Sequence, residues 1–385
     1  MSKVAICTIS SHNYMAYGLT CLLSARNFNE GSDLFYLVAD EYNSELYKKY
    51  EDNIQFISMD ELDIKKEKLV EMEFKYNIVE FNTAIKPKFY MYLLSKGYDT
   101  VIYLDPDIEC YASFSSMLEQ TKDASIIVTP HKMTTYNSKH IDDSAFLNNG
   151  IYNLGFIAMN NCKETLRFLE WWNSKLEDQC YLDYLHGMAT DQIWVELAST
   201  IFHGVHVLKD WGMNVAFWNI DERNWEYKNG ICSVNQQPLV FFHFSSMSIN
   251  CDQEFLKEID ADNAGFYEFY TEHIKKVKEN DLNTFSNVSY KFARYEDGTL
   301  IEQEQRWLYG FSEYLKNTYP NPFASGKNSY RTFIASRRSS NYLKAHSSDE
   351  KLLLLMIKVL GMKRSLAFTK KLSISIIQRI AEMFC

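Results

Sequence analysis

Short apolar runs alternate with longer amphipathic stretches along the first half of the chain. Two of these stretches, MAYGLTCLLSARNF and SELYKKYED, are typical of helices. The apolar runs have the length and composition of buried strands: VAICTIS (4–10), LFYLVAD (34–40), IQFIS (54–58) and TVIYL (100–104). Strands that alternate with helices predict an α/β fold with a mixed, mostly parallel sheet and helices on both faces.

The segment 84–108 predicts a helix, a strand and then a charged loop. Pro87 suits the first turn of a helix, and Gly97 suits its end. The strand that follows ends at Pro106, which cannot donate a hydrogen bond to a neighbouring strand. Asp105 and Asp107 therefore leave the sheet together. Because two close carboxylates repel one another, such a pair indicates a cation between them.

Several types of site contain two aspartates one residue apart. An EF-hand is excluded, because Glu109 and Tyr111 occupy positions where the calcium loop needs other residues. A phosphatase of the haloacid dehalogenase type is excluded because its threonine is missing and the pair follows several strands. Two interpretations stay open: a solvated loop with two acids, and a divalent-metal site that faces a diphosphate.

The second half continues the alternation and then becomes helical. A strand is predicted within 148–160, a helix over 163–176, a helix start at Thr190 or Asp191, and a strand within 238–246. From about residue 252 the chain is helical and charged. The predicted divisions are an α/β domain over 1–250, a helical extension over 251–318, a linker-like segment over 319–350 and a basic amphipathic tail over 351–385.

Five motifs in a fixed order carry a family resemblance. Over roughly residues 1–250 the chain resembles bacterial nucleotide-sugar glycosyltransferases of the GT-A fold, in the motifs VIYLDPDI, YNLGFIAMN, TDQIW, GMNVAFWNI and FFHFSS. The resemblance is to the glycogenin-like family 8 and to enzymes that build surface polysaccharides. It implies a metal-dependent glycosyltransferase that moves a sugar from a nucleotide-sugar donor, a UDP-sugar, to a glycan or lipid-linked acceptor in polysaccharide or glycoconjugate synthesis.

The resemblance also implies roles for individual residues. Asp105, Asp107 and His243 would hold Mn²⁺ or Mg²⁺, and Asp191 with Gln192 would face the reacting carbon of the donor sugar. Donor-binding residues would be Thr8, Ser10, Lys88, Asn153, Gly155, Ser245 and Ser246, and acceptor-binding residues Asn214 and Trp218.

Each of these roles has a structural alternative. His243 could be a hydrogen-bonded core histidine, and Asp191 a helix N-cap. Lys86 is as good a candidate for the diphosphate contact as Lys88, and either could be a surface lysine. Gly155 could be an ordinary strand glycine, and Trp218 a core aromatic residue.

Charge and cysteine content narrow the function classes. The net charge of −10 excludes a general nucleic-acid binder. The 8 cysteines form no C-x-x-C pair, which predicts a reduced, cytoplasmic chain without a zinc cage. We expect neither a signal peptide nor a membrane-spanning helix.

The segment 351–385 is basic although the chain is acidic, with seven Lys or Arg and one Glu. Two interpretations stay open for it: contact with the inner face of the cell membrane, and a helix that docks on the domain or on a second copy in a homo-oligomer.

Two other functions compete with sugar transfer. A nucleotidyltransferase would need a glycine-rich phosphate loop after the first strand, and TISSHNYMAYG is not one. A non-catalytic sugar-nucleotide-binding or scaffold protein would keep the fold without turnover.

Overall fold

The computed structural model describes residues 2–336 and Tyr342. The chain divides into two compact units. Unit 1 comprises the residues up to Ile64 together with Ile78–Lys291, and unit 2 comprises Lys65–Asn77 and the described residues from Phe292 onward. The predicted boundaries at 250, 318 and 350 stay predictions. The predicted basic tail, 351–385, lies outside the described residues.

Fourteen strands are present within the described residues. They are β1 (Val4–Ser10), β2 (Asp33–Val38), β3 (Gln55–Ile57), β4 (Thr100–Leu104), β5 (Ile108–Cys110), β6 (Ile126–Pro130), β7 (Tyr152–Asn160), β8 (Leu182–Asp183), β9 (Met188–Ala189), β10 (Val205–Val207), β11 (Trp225–Lys228), β12 (Ile231–Val234), β13 (Gln237–Pro238) and β14 (Phe241–His243).

Fifteen α-helices are present in the same described part of the chain. They are α1 (Met15–Phe28), α2 (Lys66–Lys75), α3 (Ile78–Ala84), α4 (Lys86–Ser95), α5 (Ser115–Gln120), α6 (Asp143–Asn149), α7 (Lys163–Gln179), α8 (Gln192–Val195), α9 (Ala198–Ile201), α10 (Gln253–Asp262), α11 (Phe266–Glu279), α12 (Leu282–Phe285), α13 (Gln303–Gly310), α14 (Glu313–Thr318) and α15 (Tyr330–Ala335). None of them is long and apolar enough to span a bilayer.

The central sheet of unit 1 has seven strands in the order β10-β6-β7-β4-β1-β2-β3. Strand β7 runs antiparallel to both of its neighbours, and the other neighbouring pairs are parallel. The predicted fold class, a mixed and mostly parallel sheet, is therefore confirmed. Because β7 lies beside β4, residues from the start of β7 meet the loop that leaves the end of β4.

Helices cover both faces of this sheet. Successive strand residues point to opposite faces. Leu104 belongs to the core cluster that contains much of α1, whereas the neighbouring Tyr103 ring lies 4.3 Å from Lys86 Nζ of α4. A second apolar cluster joins β12 and β14 to α10 and α11. This cluster supports the strand that ends at His243.

One predicted helix is absent. SELYKKYED forms two short 3₁₀ turns, Ser44–Leu46 and Lys48–Tyr50, rather than an α-helix. Tyr47 between them is buried, and its hydroxyl bonds the His12 imidazole (2.7 Å) and the Asn43 N–H (3.1 Å). These tertiary contacts outweigh the local helix propensity.

Unit 2 is helical and has an aromatic core. The Phe74 ring of α2 packs against Tyr295, Tyr309, Phe323 and Tyr330. The last three of these pairs are edge-to-face, a geometry that stabilises a small helical unit beyond the burial of its apolar area.

Candidate active site

A two-stranded ribbon, β5 paired with β14, brings Asp107 and His243 together. His243 is the last residue of β14, and Asp107 directly precedes β5. The Asp107 carbonyl accepts a hydrogen bond from the Phe244 N–H (2.8 Å). Asp105 is held at the end of β4, where its N–H donates to the Gly155 carbonyl (2.7 Å). Backbone pairing therefore determines where all three side chains converge.

Asp105, Asp107 and His243 each offer one ligand atom within 4.8 Å of the others. His243 Nε2 lies 3.0 Å from Asp107 Oδ1 and 3.9 Å from Asp105 Oδ2. The two carboxylates are partly exposed to solvent, whereas the imidazole is buried. Two carboxylates and one imidazole, open to solvent on one side, fit a divalent cation.

The Asp107–His243 pair keeps Asp107 ionised. Burial raises the pKa of Asp107, but the His243 imidazole, a backbone hydrogen bond and His273 together lower that pKa below its ordinary value. Burial likewise lowers the pKa of His243, but Asp107 outweighs burial and raises it. An ionised carboxylate is the form that a metal ligand requires.

A buried ion pair forms the wall beside this cluster. Lys86 Nζ lies 2.9 Å from Asp191 Oδ2 and 3.5 Å from Asp105 Oδ1, and it donates to the Leu154 carbonyl (3.1 Å). Burial lowers the pKa of Lys86, but Asp105 and Asp191 outweigh it, and the pKa is raised. Burial raises the pKa of Asp191, with Lys86 opposing that effect. Asp191 makes no helix-capping hydrogen bond, so the N-cap alternative is wrong for its side chain.

Helix α11 supports the ribbon from behind. Glu109 of β5 accepts a hydrogen bond from His273 Nδ1 (2.7 Å), with both side chains buried, and also pairs with Lys276. The His273 ring stacks on Phe244, with centroids 3.7 Å apart and planes inclined by 3°. The buried Glu109 carboxylate, paired with the His273 imidazole and the Lys276 ammonium, ties the ribbon to α11.

The glycine of the YNLGF motif is required by close packing. A Cβ on Gly155 would lie 2.4 Å from His243 Cε1 and 2.7 Å from His243 Nδ1. His243 Nδ1 also lies 3.1 Å from Asn153 Oδ1. Gly155 therefore leaves room for the imidazole, and the alternative of an ordinary strand glycine is wrong.

A pocket of about 400 Å³ opens over these groups. Of the residues singled out from the sequence, those that line it are Lys86, Asp105, Asp107, Asn153, Asp191, Gln192, Trp218, His243, Ser245 and Ser246. Ser246 has a left-handed backbone (φ +63°), which marks a tight turn after β14.

Five predicted site residues do not line this pocket, and one of them is Gly155, which packs against His243. Thr8 and Ser10 are buried in β1, and the Ser10 hydroxyl bonds Tyr36 (2.5 Å). Lys88 lies on the part of α4 turned away from Lys86 and is half-buried. Asn214 is buried and donates to the Pro130 carbonyl (3.1 Å). Their predicted roles in donor and acceptor binding stay predictions.

His131 and Phe146 are among the pocket residues that were not found from the sequence. His131 lies directly after β6, and Phe146 lies on α6. His131 is buried, and burial lowers its pKa to about 4. The motif PHK has no spacing typical of a ligand set, so only the pairing of β6 with β7 identifies this histidine.

Several known proteins are similar to this chain in sequence or in structure. No family model matches the chain. Two proteins of Bacillus subtilis (strain 168) are similar in sequence, both 25% identical: YfnD over 66% of this chain and 81% of its own, and YfnF over 76% and 98%. Both are named as uncharacterized proteins, so neither assigns an activity.

The similar solved structures include several glycosyltransferases. The galactosyltransferase LgtC, in complex with donor and acceptor sugar analogs, is 16% identical, covering 70% of this chain and 95% of its own with a TM-score of 0.45. Mouse xyloside xylosyltransferase 1 is 16% identical, and the match covers 63% of this chain and 97% of the mouse protein with a TM-score of 0.40. GlyE of Streptococcus pneumoniae TIGR4 is 14% identical, and the match covers 73% of this chain and 64% of GlyE with a TM-score of 0.42.

Proposed function

We propose that this chain is a metal-dependent glycosyltransferase that moves a sugar from a nucleotide-sugar donor, a UDP-sugar, to a glycan or lipid-linked acceptor. One observation carries the proposal: the Asp105–Asp107–His243 cluster and the buried Lys86–Asp191 pair face the same pocket. A metal site beside a buried charge pair suits a reaction in which charge separates.

The donor set fits Mn²⁺ or Mg²⁺, with Asp105, Asp107 and His243 as the protein ligands. When bound, such a cation supplies a Lewis acid that neutralises the leaving diphosphate. Ser245 and Ser246 follow the metal-binding histidine and line the pocket, so their hydroxyl and backbone N–H groups can donate to diphosphate oxygens.

Asp191 and Lys86 act on the sugar side of the reaction. Breaking the bond between sugar and phosphate develops positive charge at the anomeric carbon. The Asp191 carboxylate stabilises that charge, orients sugar hydroxyls or takes the proton of the acceptor. Lys86 lies within ion-pair distance of both Asp191 and Asp105, so its positive charge compensates the two carboxylates.

Gln192 and Trp218 shape the rest of the pocket. Gln192 Nε2 donates to the Asn149 carbonyl (2.6 Å), and this bond orients the amide. Its Oε1 can still accept from a sugar hydroxyl. The Trp218 ring packs edge-on against His243 (centroids 5.4 Å apart) and lines the pocket, where a sugar can stack on it.

Release of UDP from UDP-sugars tests the proposal. The full chain would be incubated with a panel of UDP-sugars, with Mn²⁺ or with a chelator. We expect UDP release from at least one donor, its loss with chelator, and a decrease of at least 100-fold in Asp107→Asn. Asp123→Asn is the matched control, because Asp123 is exposed and outside the pocket.

The outcome separates the proposal from its alternatives. Nucleotide binding without UDP release from any donor would indicate a non-catalytic sugar-nucleotide-binding protein. Release of pyrophosphate from a nucleoside triphosphate and a sugar phosphate would indicate a nucleotidyltransferase. Either result would contradict sugar transfer by this chain.

A further inference from the structure

A line of hydrogen bonds leads from the candidate metal site into the sheet. His243 Nδ1 lies 3.1 Å from Asn153 Oδ1, and Asn153 Nδ2 lies 3.1 Å from His131 Nε2. All three side chains are at least nine-tenths buried. Neither Asn153 nor His131 belongs to the cluster of ligand atoms, so both act on the site through His243.

The direction of each hydrogen bond follows from one backbone donor. The Gly155 N–H donates to Asn153 Oδ1 (3.2 Å), so this atom is the amide oxygen. An oxygen can only accept, and therefore His243 Nδ1 must carry a proton. The amide nitrogen then faces His131 Nε2, which must be the unprotonated, accepting nitrogen.

With its Nδ1–H bonded to Asn153, His243 can offer a cation only the lone pair of Nε2. That nitrogen faces Asp107 Oδ1 at 3.0 Å and is the atom that offers itself to a cation. Without a cation, the carboxylate favours the opposite tautomer, because it accepts a hydrogen bond from an Nε2–H. The Asn153 carbonyl opposes that tautomer from the other side of the ring.

His131 cannot easily move away from Asn153. The backbone N–H of His131 donates to the Ile151 carbonyl (2.9 Å), and its backbone carbonyl accepts from Asn219 Nδ2 (2.9 Å). Its ring packs between Phe146 and Trp218, with both centroids 5.7 Å away. The acceptor atom is therefore held in place by the backbone and by packing.

We infer that His131 is a positioning residue for the metal site. By accepting from Asn153 Nδ2, it holds the amide in the orientation that keeps His243 protonated at Nδ1 and its Nε2 free for a divalent cation. The inference rests on the proposed function. Without this acceptor, the Asn153 amide can rotate, present its NH₂ group to His243 and favour the tautomer that cannot bind metal.

Direct titration with Mn²⁺, followed by electron paramagnetic resonance of the free ion, tests this role without any turnover. His131→Phe keeps the ring volume and removes the acceptor. We expect its Mn²⁺ affinity to fall about tenfold, the lower end for residues that orient a metal ligand. His131→Gln places Oε1 near the position of Nε2, and we expect it to remain within about threefold of wild type.

Two further variants separate positioning from packing. Phe146→Leu loosens the packing around His131 without removing a hydrogen bond, and we expect unchanged Mn²⁺ affinity. His131→Asn is one methylene shorter than Gln, cannot reach Asn153, and should bind as weakly as His131→Phe. Thermal unfolding shows whether His131→Phe folds. If it does not, His131→Asn replaces it as the variant that lacks the acceptor.

The result that overturns the inference differs from the one that overturns the proposed function. Equal Mn²⁺ affinity in wild type, His131→Phe and His131→Asn would exclude the positioning role. If the Mn²⁺ affinity of Phe146→Leu or of His131→Gln fell as much as that of His131→Phe, the effect would come from packing alone. No Mn²⁺ binding by wild type would contradict the metal site itself, and with it both proposals.

Discussion

Lys86 Nζ lies 2.9 Å from Asp191 Oδ2 in the wall of the candidate site, and both side chains are buried. Removing one partner leaves a buried charge without compensation. We expect Lys86→Met to lower the free energy of unfolding by about 3–5 kcal/mol, measured by urea denaturation.

A double-mutant cycle shows whether this cost comes from the pair. Asp191→Asn alone should also destabilise, and the double variant should recover at least about 1 kcal/mol relative to the sum of the two single changes. Additive effects of the two substitutions would show that Lys86 and Asp191 are not coupled.

Gly155→Ala should disrupt the metal site without a change in charge. The added Cβ would lie 2.4 Å from His243 Cε1, so the imidazole must move from its position beside Asp107. We expect a loss of Mn²⁺ affinity of at least tenfold, the size of effect seen when a ligand loses its orientation.

Gly326→Ala is the matched control for this substitution. A Cβ on Gly326 meets nothing within 4 Å, and we expect wild-type Mn²⁺ affinity. If Gly155→Ala also binds Mn²⁺ like wild type, His243 is not held where the structure places it.

The metal-free chain should lose stability on acidification partly through His131. Burial lowers the pKa of His131 from 6.5 to about 4, with His243 as the nearby titratable group that acts in the same direction. Between these two values the unfolded chain binds the proton and the folded chain does not, so stability falls as the pH falls from 6.5 to about 4.

The comparison of wild type with His131→Gln isolates this contribution. One pKa unit corresponds to about 1.4 kcal/mol, so the free energy of unfolding of wild type should fall by about 3 kcal/mol more than that of the variant across this pH range. Urea unfolding at several pH values measures it. Parallel curves for the two proteins would show that His131 does not titrate in this way.

Arg306 should be a main stabilising residue of unit 2. Its Nη1 donates to the carbonyls of Phe74 (2.6 Å) and Tyr76 (2.9 Å) at the end of α2, and its Nη2 donates to the Phe292 carbonyl (2.6 Å). Arg306→Met leaves these acceptors buried without that donor, and we expect a loss of about 3 kcal/mol in urea unfolding.

Arg331→Met is the control for Arg306 within the same unit. Arg331 is partly exposed and lies 3.6 Å from Asp297, so its removal should cost less than about 1 kcal/mol. Equal losses in the two variants would contradict a special role for the Arg306 guanidinium.

Local sequence patterns were sufficient for the elements that carry the metal cluster. The structure contains the predicted strand Val4–Ser10, the predicted helix Met15–Phe28 and the predicted strand Thr100–Leu104. Asp105 and Asp107 follow the third of these, where the strand must stop. Their convergence with His243 was implied by the family resemblance, and the β5–β14 ribbon supplies the physical reason.

Contacts between distant elements could not be read from the same patterns. Lys86 and Lys88 are about 200° apart around a helix, and the sequence does not show which face of α4 meets the sheet. His131 joins the site only because β6 pairs with β7, beside Asn153. Such non-local pairing has no local sequence signal.

Thermal unfolding with nucleotides tests the central claim most directly. Wild type and Asp107→Ala would be unfolded with UDP, GDP or CMP, each with and without Mn²⁺. A ligand that binds only the folded chain raises the melting temperature by mass action. We predict that UDP stabilises wild type only with Mn²⁺ present, and that Asp107→Ala loses this effect. No shift of wild type with any nucleotide would contradict a metal–diphosphate site at Asp105, Asp107 and His243.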